Sequence, residues 1–222
     1  MNYRDEIKYI INKNNFHLLN LNLNSILKKD FNCKDKYYTI SSLYFDDYKK
    51  TSYNQVVNGI SERWKYRIRF YNNDDSMIKL EKKYKCNNKT LKSSVVISRD
   101  MFDSIVKRQI KIKSNNNKLL NEFIIKINSE FLRPIIFIEY KRIPYVYKSG
   151  NVRVTLDYDI GYTRCFDNLF GLKRLKYLSD YILEVKYNNF LPDFIRVGLA
   201  LNSLEQTSFS KFKNCIERSK IC

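Results

Sequence analysis

Segments whose two faces differ in polarity constrain this chain more than any other feature of it. In ERWKYRIRFY, residues 62–71, the cations Lys65, Arg67 and Arg69 take alternate positions and Tyr66, Ile68 and Phe70 fill the gaps. That is the period of a β-strand whose faces meet different surroundings. Alternating stretches rich in Tyr, Ile, Val and Phe occur at 3–11, 37–46, 64–71, 77–84, 91–98, 134–142, 151–158 and 180–187, which predicts eight strands. The polar runs NNDD at 72–75, CNNK at 86–89 and KSNNNK at 113–118 read as turns or loops.

Helical spacing appears at about 14–29 (Phe16, Leu19, Leu23, Ile26, Leu27) and at about 99–110, opened by the capping sequence SRD. It recurs at 118–131, where Leu119, Phe123, Ile127 and Phe131 align, and at 192–204, opened by a proline suited to a first helical turn. With no repeat and no long linker, residues 1–222 read as a single α+β domain.

Lys and Arg number 41 against 23 Asp and Glu, a net charge of +18. Self-repulsion on that scale calls for a polyanionic partner. Nucleic acid, an anionic membrane surface, nucleotides and inorganic phosphate chains all qualify on charge. Cys33, Cys86, Cys165, Cys215 and Cys222 are scattered and form no CxxC, so neither a disulfide framework nor a zinc site is indicated. The charged N-terminus MNYRDEIKYI is unlike a secretory signal, and no stretch approaches the roughly 18 apolar residues of a spanning helix. The expectation is a soluble cytoplasmic protein with reduced thiols.

Parity also pairs ionisable groups of opposite sign. Glu6 shares a strand face with Lys8, Glu81 with Lys83, Glu184 with Lys186, and Arg153 with Asp157, while Ile7, Leu80, Val154, Leu156, Leu183 and Val185 point the other way. Two arrangements satisfy this pattern. In one, the charged faces of an antiparallel sheet meet water. In the other, the apolar faces pack under helices and the charged faces line the interior of a closed barrel that holds a ligand. The second needs charge balance, because desolvated Lys and Arg require partners. Carboxylates, a phosphate chain and a divalent cation would supply it, and alternation alone leaves both arrangements open.

Several motifs in order, RDEIKY (4–9), SSLYFDD (41–47), ERWKYRIRFY (62–71), LEKKYK (80–85), IEYKR (138–142), RVTLDYDI (153–160), LEVKY (183–187) and SKF (210–212), run through nearly the whole chain. In order and spacing they resemble the VTC domain, the polyphosphate polymerase domain of the vacuolar transporter chaperone family and its bacterial relatives, among the triphosphate tunnel metalloenzymes. The resemblance implies a closed antiparallel eight-stranded β-barrel with helices outside. It also implies transfer of the γ-phosphate of ATP to inorganic polyphosphate with Mn2+ or Mg2+, and no nucleic-acid partner.

Carried over position by position, the resemblance implies that Arg67, Arg69, Lys83, Arg142 and Arg153 act on the transferring phosphoryl group. Lys8, Lys65, Lys92, Lys186 and Lys211 complete the phosphate-binding set. Glu184 is the implied metal ligand, with Glu6, Glu81, Glu139 and Asp157 as further carboxylates in matching motifs. Glu139 and Arg142 have opposite strand parity, so a bulge would be needed for both to reach one face. Hydrolases and cyclases of the superfamily open with ExExK, whereas this chain has Arg4 before Glu6 and Lys8, which points to the polymerase branch. The alternatives are a triphosphatase of the same fold and a silent module that binds polyphosphate or nucleic acid. His17, Trp64, Tyr44 and Phe45 read as packing or solvated residues, and Asp46 and Asp47 as groups that orient a turn or neighbouring cations.

Overall fold

The computed structural model describes residues 5–86, 89–110, 116–200 and 204–220. It is α+β, with a predominantly antiparallel sheet and six helices among those residues. Each of the eight predicted strands is present: β1 (Asp5–Ile11), β3 (Tyr38–Asp46), β4 (Glu62–Tyr71), β5 (Asp74–Cys86), β6 (Lys89–Ile97), β7 (Arg133–Tyr147), β8 (Val152–Thr163) and β10 (Tyr181–Tyr187). Two strands of two residues, β2 (Lys28–Lys29) and β9 (Lys176–Tyr177), bring the sheet to ten; they pair with β7 and β8.

The hydrogen-bonded order is β1-β10-β8-β7-β3-β4-β5-β6. The expected closure of eight strands into a barrel is therefore corrected: among the described residues no ladder joins β1 to β6, and the strands number ten. Alternation assigns residues to faces but carries no information on whether a first strand and a last strand pair, and a two-residue strand is too short to show any period.

The chain forms two compact units, each with its own core. The first comprises Met1–Thr39, Tyr140–Gly161 and Tyr177–Ser210. Here the apolar face of β1, β10 and β8 (Tyr9, Ile11, Leu183, Val185, Val154, Leu156) packs against Phe16, Leu19 and Leu23 of α1 (Lys13–Ile26) and Ile195 of α5 (Asp193–Gly198). Asn12 caps α1 by accepting the Asn15 N–H at 2.8 Å. The helix expected over 192–204 is thus short, and part of that range, 201–203, lies outside the described residues.

The second unit comprises Ile40–Glu139, Tyr162–Lys176 and Lys211–Cys222. Tyr66, Ile68 and Phe70 of β4 are fully buried beneath Phe102 and Ile105 of α3 (Arg99–Val106) and Leu120, Phe123 and Ile124 of α4 (Lys118–Ser129). β4 turns into β5 through Asn72 and Asn73, both at positive φ, where the NNDD run reads as a turn or loop; the connection is a two-residue hairpin. Two short helices, α2 (Thr51–Val57) and α6 (Lys211–Arg218), were not legible from periodicity, since each spans only about two turns. Asp46 and Asp47 position α2, as the turn reading expects: the Asp46 carboxylate accepts the N–H groups of Ser52 (2.8 Å) and Tyr53 (2.9 Å), and Asp47 accepts that of Thr51 (2.9 Å). Among the described residues no helix is long and apolar enough to cross a membrane.

Phe123 has no exposed surface and meets Phe45 edge-on at 5.0 Å and Tyr66 at 5.3 Å. Truncation there leaves a cavity that rigid strands cannot refill. Phe123→Ala is expected to lower the free energy of unfolding by about 3–5 kcal/mol in a urea titration. A loss below about 1 kcal/mol would mean that α4 does not hold this sheet face.

Candidate phosphate-binding site

In the second unit, backbone pairing sets the row of cations into a grid. Lys65 lies opposite Lys83, and Lys83 opposite Lys92, so three lysines face one another across β4, β5 and β6. One step along the strands Tyr44 lies opposite Arg67, Arg67 opposite Glu81, and Glu81 opposite Ser94. A further step places Ser42 opposite Arg69 and Arg69 opposite Lys79. Like charges directly opposite each other destabilise a sheet.

This face is withdrawn from solvent at β4 and β5, although Lys92 on β6 is exposed. Glu81 is 1% exposed and Arg69 7% exposed. The Glu81 carboxylate accepts Nε and Nη2 of Arg67 on Oε2, both at 2.7 Å, and meets Lys92 Nζ at 2.5 Å on Oε1. Arg67 Nη1 donates to the Tyr44 hydroxyl (3.3 Å), and Arg69 Nε to Ser42 Oγ (3.0 Å). Burial alone would raise the Glu81 carboxyl, but Arg67, Arg69 and Lys92 outweigh it and hold it at about 2. Burial would likewise raise the Tyr44 phenol, yet Arg67, Arg69 and Lys211 bring it below its ordinary value. Lys211 begins α6, whose Phe212 ring packs on Tyr44 at 5.1 Å and lies under Lys65 Nζ at 5.1 Å. The cations Lys65, Arg67, Arg69, Lys79, Lys83 and Lys92 thus share one face of β4, β5 and β6 with the buried carboxylate of Glu81. Lys79 was not singled out in the sequence, although the 79, 81, 83 parity of β5 contains it.

The first unit carries a second cluster with a different balance. Lys8 lies opposite Glu184, Glu6 opposite Lys186, and Lys186 opposite Arg153. Glu6 pairs with Lys8 at 2.6 Å and with Lys186 at 3.6 Å, and Glu184 takes Lys186 at 2.7 Å. Arg142 grips buried Asp157 in a bidentate way, Nε to Oδ1 at 2.6 Å and Nη2 to Oδ2 at 2.7 Å, and reaches Glu184 at 3.2 Å. Burial would lower both Arg142 and Lys8; Asp157 and Glu184 raise the former, and Glu184 and Glu6 raise the latter. Arg153 Nη2 donates to Tyr38 Oη at 3.1 Å and pairs with Asp30 Oδ2 at 2.8 Å. Asp30, which no periodicity marks in the sequence because it sits in a loop, joins this cluster through Arg153.

Glu139 is not brought to either cluster. Its Oε2 accepts the Ser41 hydroxyl (2.7 Å) and pairs with the buried Lys173 (2.7 Å) on the apolar side of the sheet, as its parity against Arg142 indicated. Trp64 packs edge-on against Tyr66 at 5.3 Å with Lys126 over its ring, and His17 is exposed on α1, so both take the packing or solvated role expected. Arg4 lies outside the described residues.

No group of three or more His, Cys, Asp or Glu side chains converges among the described residues. Glu184 spends its oxygens on Lys186 and Arg142. These residues fit a divalent cation only in the shared manner of magnesium sites, with one or two carboxylates and the remaining ligands from phosphate and water.

The chain thus combines an α+β sheet with strand faces on which cations gather around buried carboxylates. A model of the VTC domain matches residues 3–220, and the chain belongs to that family. Among solved structures it is similar to a Bacillus halodurans protein named as a candidate adenylate cyclase: 14% identity, TM-score 0.57, with 95% of this chain and 94% of that one covered. A Pyrococcus horikoshii OT3 protein aligns at 13% identity and TM-score 0.50 over 97% of this chain and 99% of its own. The Mimivirus capping enzyme triphosphatase aligns at 12% identity and TM-score 0.42 over 91% and 87%. A search of curated proteins gave no match.

The depressed Glu81 carboxyl makes stability pH-dependent. Its folded value of about 2 lies below its ordinary 4.5, so its contribution is fully present above pH 4.5 and disappears as pH falls towards 2. Urea unfolding should lose about 3 kcal/mol from this group across that window, and Glu81→Gln should flatten the profile by a similar amount. Parallel profiles for the two proteins would contradict the assignment.

Proposed function

We propose that the chain is a phosphotransferase that moves the γ-phosphate of ATP onto a growing inorganic polyphosphate chain. One observation carries this reading: the lysine row of Lys65, Lys83 and Lys92 beside Arg67 and Arg69, on a face where Glu81 is buried. Like charges directly opposite each other destabilise a sheet, and a bound polyanion would offset that cost. Along β4 the cations repeat every roughly 6.7 Å, two residues at a strand's rise, which suits linked phosphates better than a single one. Membership of the VTC domain family supports the choice of polyphosphate and ATP over nucleic acid, and the carboxylates interspersed among the cations of the first unit weigh against a nucleic-acid backbone.

Phosphoryl transfer asks a protein mainly for in-line positioning and for neutralisation of charge on the transferring oxygens. Arg67, Arg69 and Lys83 would hold the phosphoryl oxygens in the second unit, with Lys65, Lys92 and Lys211 around them. Arg142, Arg153, Lys8 and Lys186 offer the same chemistry in the first. A terminal phosphate oxygen of the acceptor chain attacks the γ-phosphorus, a new P–O bond forms as the bond to the β-phosphate oxygen breaks, and ADP departs. No side-chain nucleophile is needed. Glu184 would hold Mn2+ or Mg2+, with Asp157 and Glu6 as neighbouring carboxylates, and the cation when bound neutralises phosphate charge.

Purified protein incubated with ATP and Mn2+ should yield long chains on a polyacrylamide gel together with ADP. Free phosphate without chains would instead identify a triphosphatase and overturn the polymerase reading. Arg67→Ala and Arg69→Ala should each reduce ATP turnover by about 100-fold, the scale of losing one oriented donor to a transition-state oxygen.

A further inference from the structure

The arginines of the two clusters are matched to carboxylates in different ways. Arg67 is held by Glu81 from β5, the adjacent strand, and Arg142 by Asp157 and Glu184 on β8 and β10. Those carboxylates sit within ladders and cannot retreat without breaking strand pairing. Asp30 is different. It lies just past the two-residue strand β2, on the loop that leads to β3.

The local structure presents this carboxylate to Arg153. The Asp30 N–H donates to the Pro144 carbonyl (3.1 Å) and the Cys33 N–H to the Asp30 carbonyl (2.8 Å). Asp30 Oδ1 accepts both the backbone N–H and the side-chain amide of Asn32, each at 3.0 Å, which leaves Oδ2 for Arg153 at 2.8 Å. Asp30 is 8% exposed, whereas its neighbour Phe31 is 96% exposed, so no apolar packing at Phe31 anchors the loop beyond these polar ties. The ties of Arg153 to Asp30 and to Tyr38 both use Nη2.

We propose that Asp30 is a resident competitor for the phosphate on Arg153: its carboxylate occupies the guanidinium until a polyphosphate oxygen displaces it, and the loop is released from Arg153 as substrate binds. This deepens the phosphotransferase reading and rests on Arg153 being a phosphate ligand. A carboxylate oxygen and a phosphate oxygen present the same charge-assisted acceptor to a guanidinium, and the phosphate chain carries more charge. Asp30 therefore sets the affinity of the site as well as balancing its charge when no substrate is bound.

Inorganic tripolyphosphate serves as the probe, with binding followed by calorimetry. Asp30→Asn keeps an amide oxygen for Asn32 and removes the competing charge, so affinity should rise by about tenfold, the value of one charge-assisted contact. The gain should vanish in an Arg153→Ala background. Asn32→Ala, which retains Asp30 but cuts one of its ties, should give a smaller gain of about threefold. Displacement has its own readout: in the wild type, tripolyphosphate should speed hydrogen exchange at the Asp30 amide, whose bond to the Pro144 carbonyl ties the loop to β7. If Arg153→Ala binds tripolyphosphate as tightly as the wild type, Arg153 is not a phosphate ligand, and the inference falls with that assignment. If Arg153→Ala weakens binding but Asp30→Asn does not tighten it, or the Asp30 amide exchanges no faster, only the competitor role is overturned.

Discussion

Ionised side chains buried on a sheet face must be matched in charge, and the rest of this structure is arranged around that requirement. In the first unit the matching is internal: Glu6, Glu184, Asp157 and Asp30 stand against Lys8, Lys186, Arg142 and Arg153. In the second unit Glu81 takes Arg67 and Lys92, on a face where lysine stands opposite lysine across three strands. Under the proposed function such a face trades stability for anion affinity, a common compromise at functional sites.

The apolar halves of the same strands make the compromise tolerable. Tyr66, Ile68 and Phe70 are fully buried under α3 and α4, and Val154, Leu156, Leu183 and Val185 under α1 and α5. Each strand is thereby fixed by one face while the other carries charge. Because the strand period is two, a slip of one residue would exchange the faces and place Arg67 in an aromatic core. The packing that stabilises the sheet also fixes the register of the cations.

Much of this was readable in the sequence. Parity alone placed Lys65, Arg67 and Arg69 together, joined Glu6 to Lys8 and Glu184 to Lys186, and set Glu139 apart from Arg142. Whether the charged faces met water was not readable, because burial depends on long-range pairing that alternation does not encode; the depth of Glu81 and Asp157 answers it. Strand closure was misjudged for the same reason. Asp30 was invisible, since the segment KKDFNCKDK has no period and its contact with Arg153 joins residues far apart in the chain. Lys79 was within reach of the parity argument, and α2 and α6 were too short for any helical period to register.

The central proposal is that the lysine row of the second unit binds a polyanion. Lys83, with a lysine opposite it on both neighbouring strands, is the position that tests this most directly. The measurement is thermal unfolding of the wild type and Lys83→Met, with and without inorganic tripolyphosphate. Lys83→Met should melt higher than the wild type in the absence of anion, by a few degrees, about 1 kcal/mol for a chain of this size, and should gain less from tripolyphosphate. A variant that melts lower without anion and gains as much from tripolyphosphate as the wild type would contradict the account.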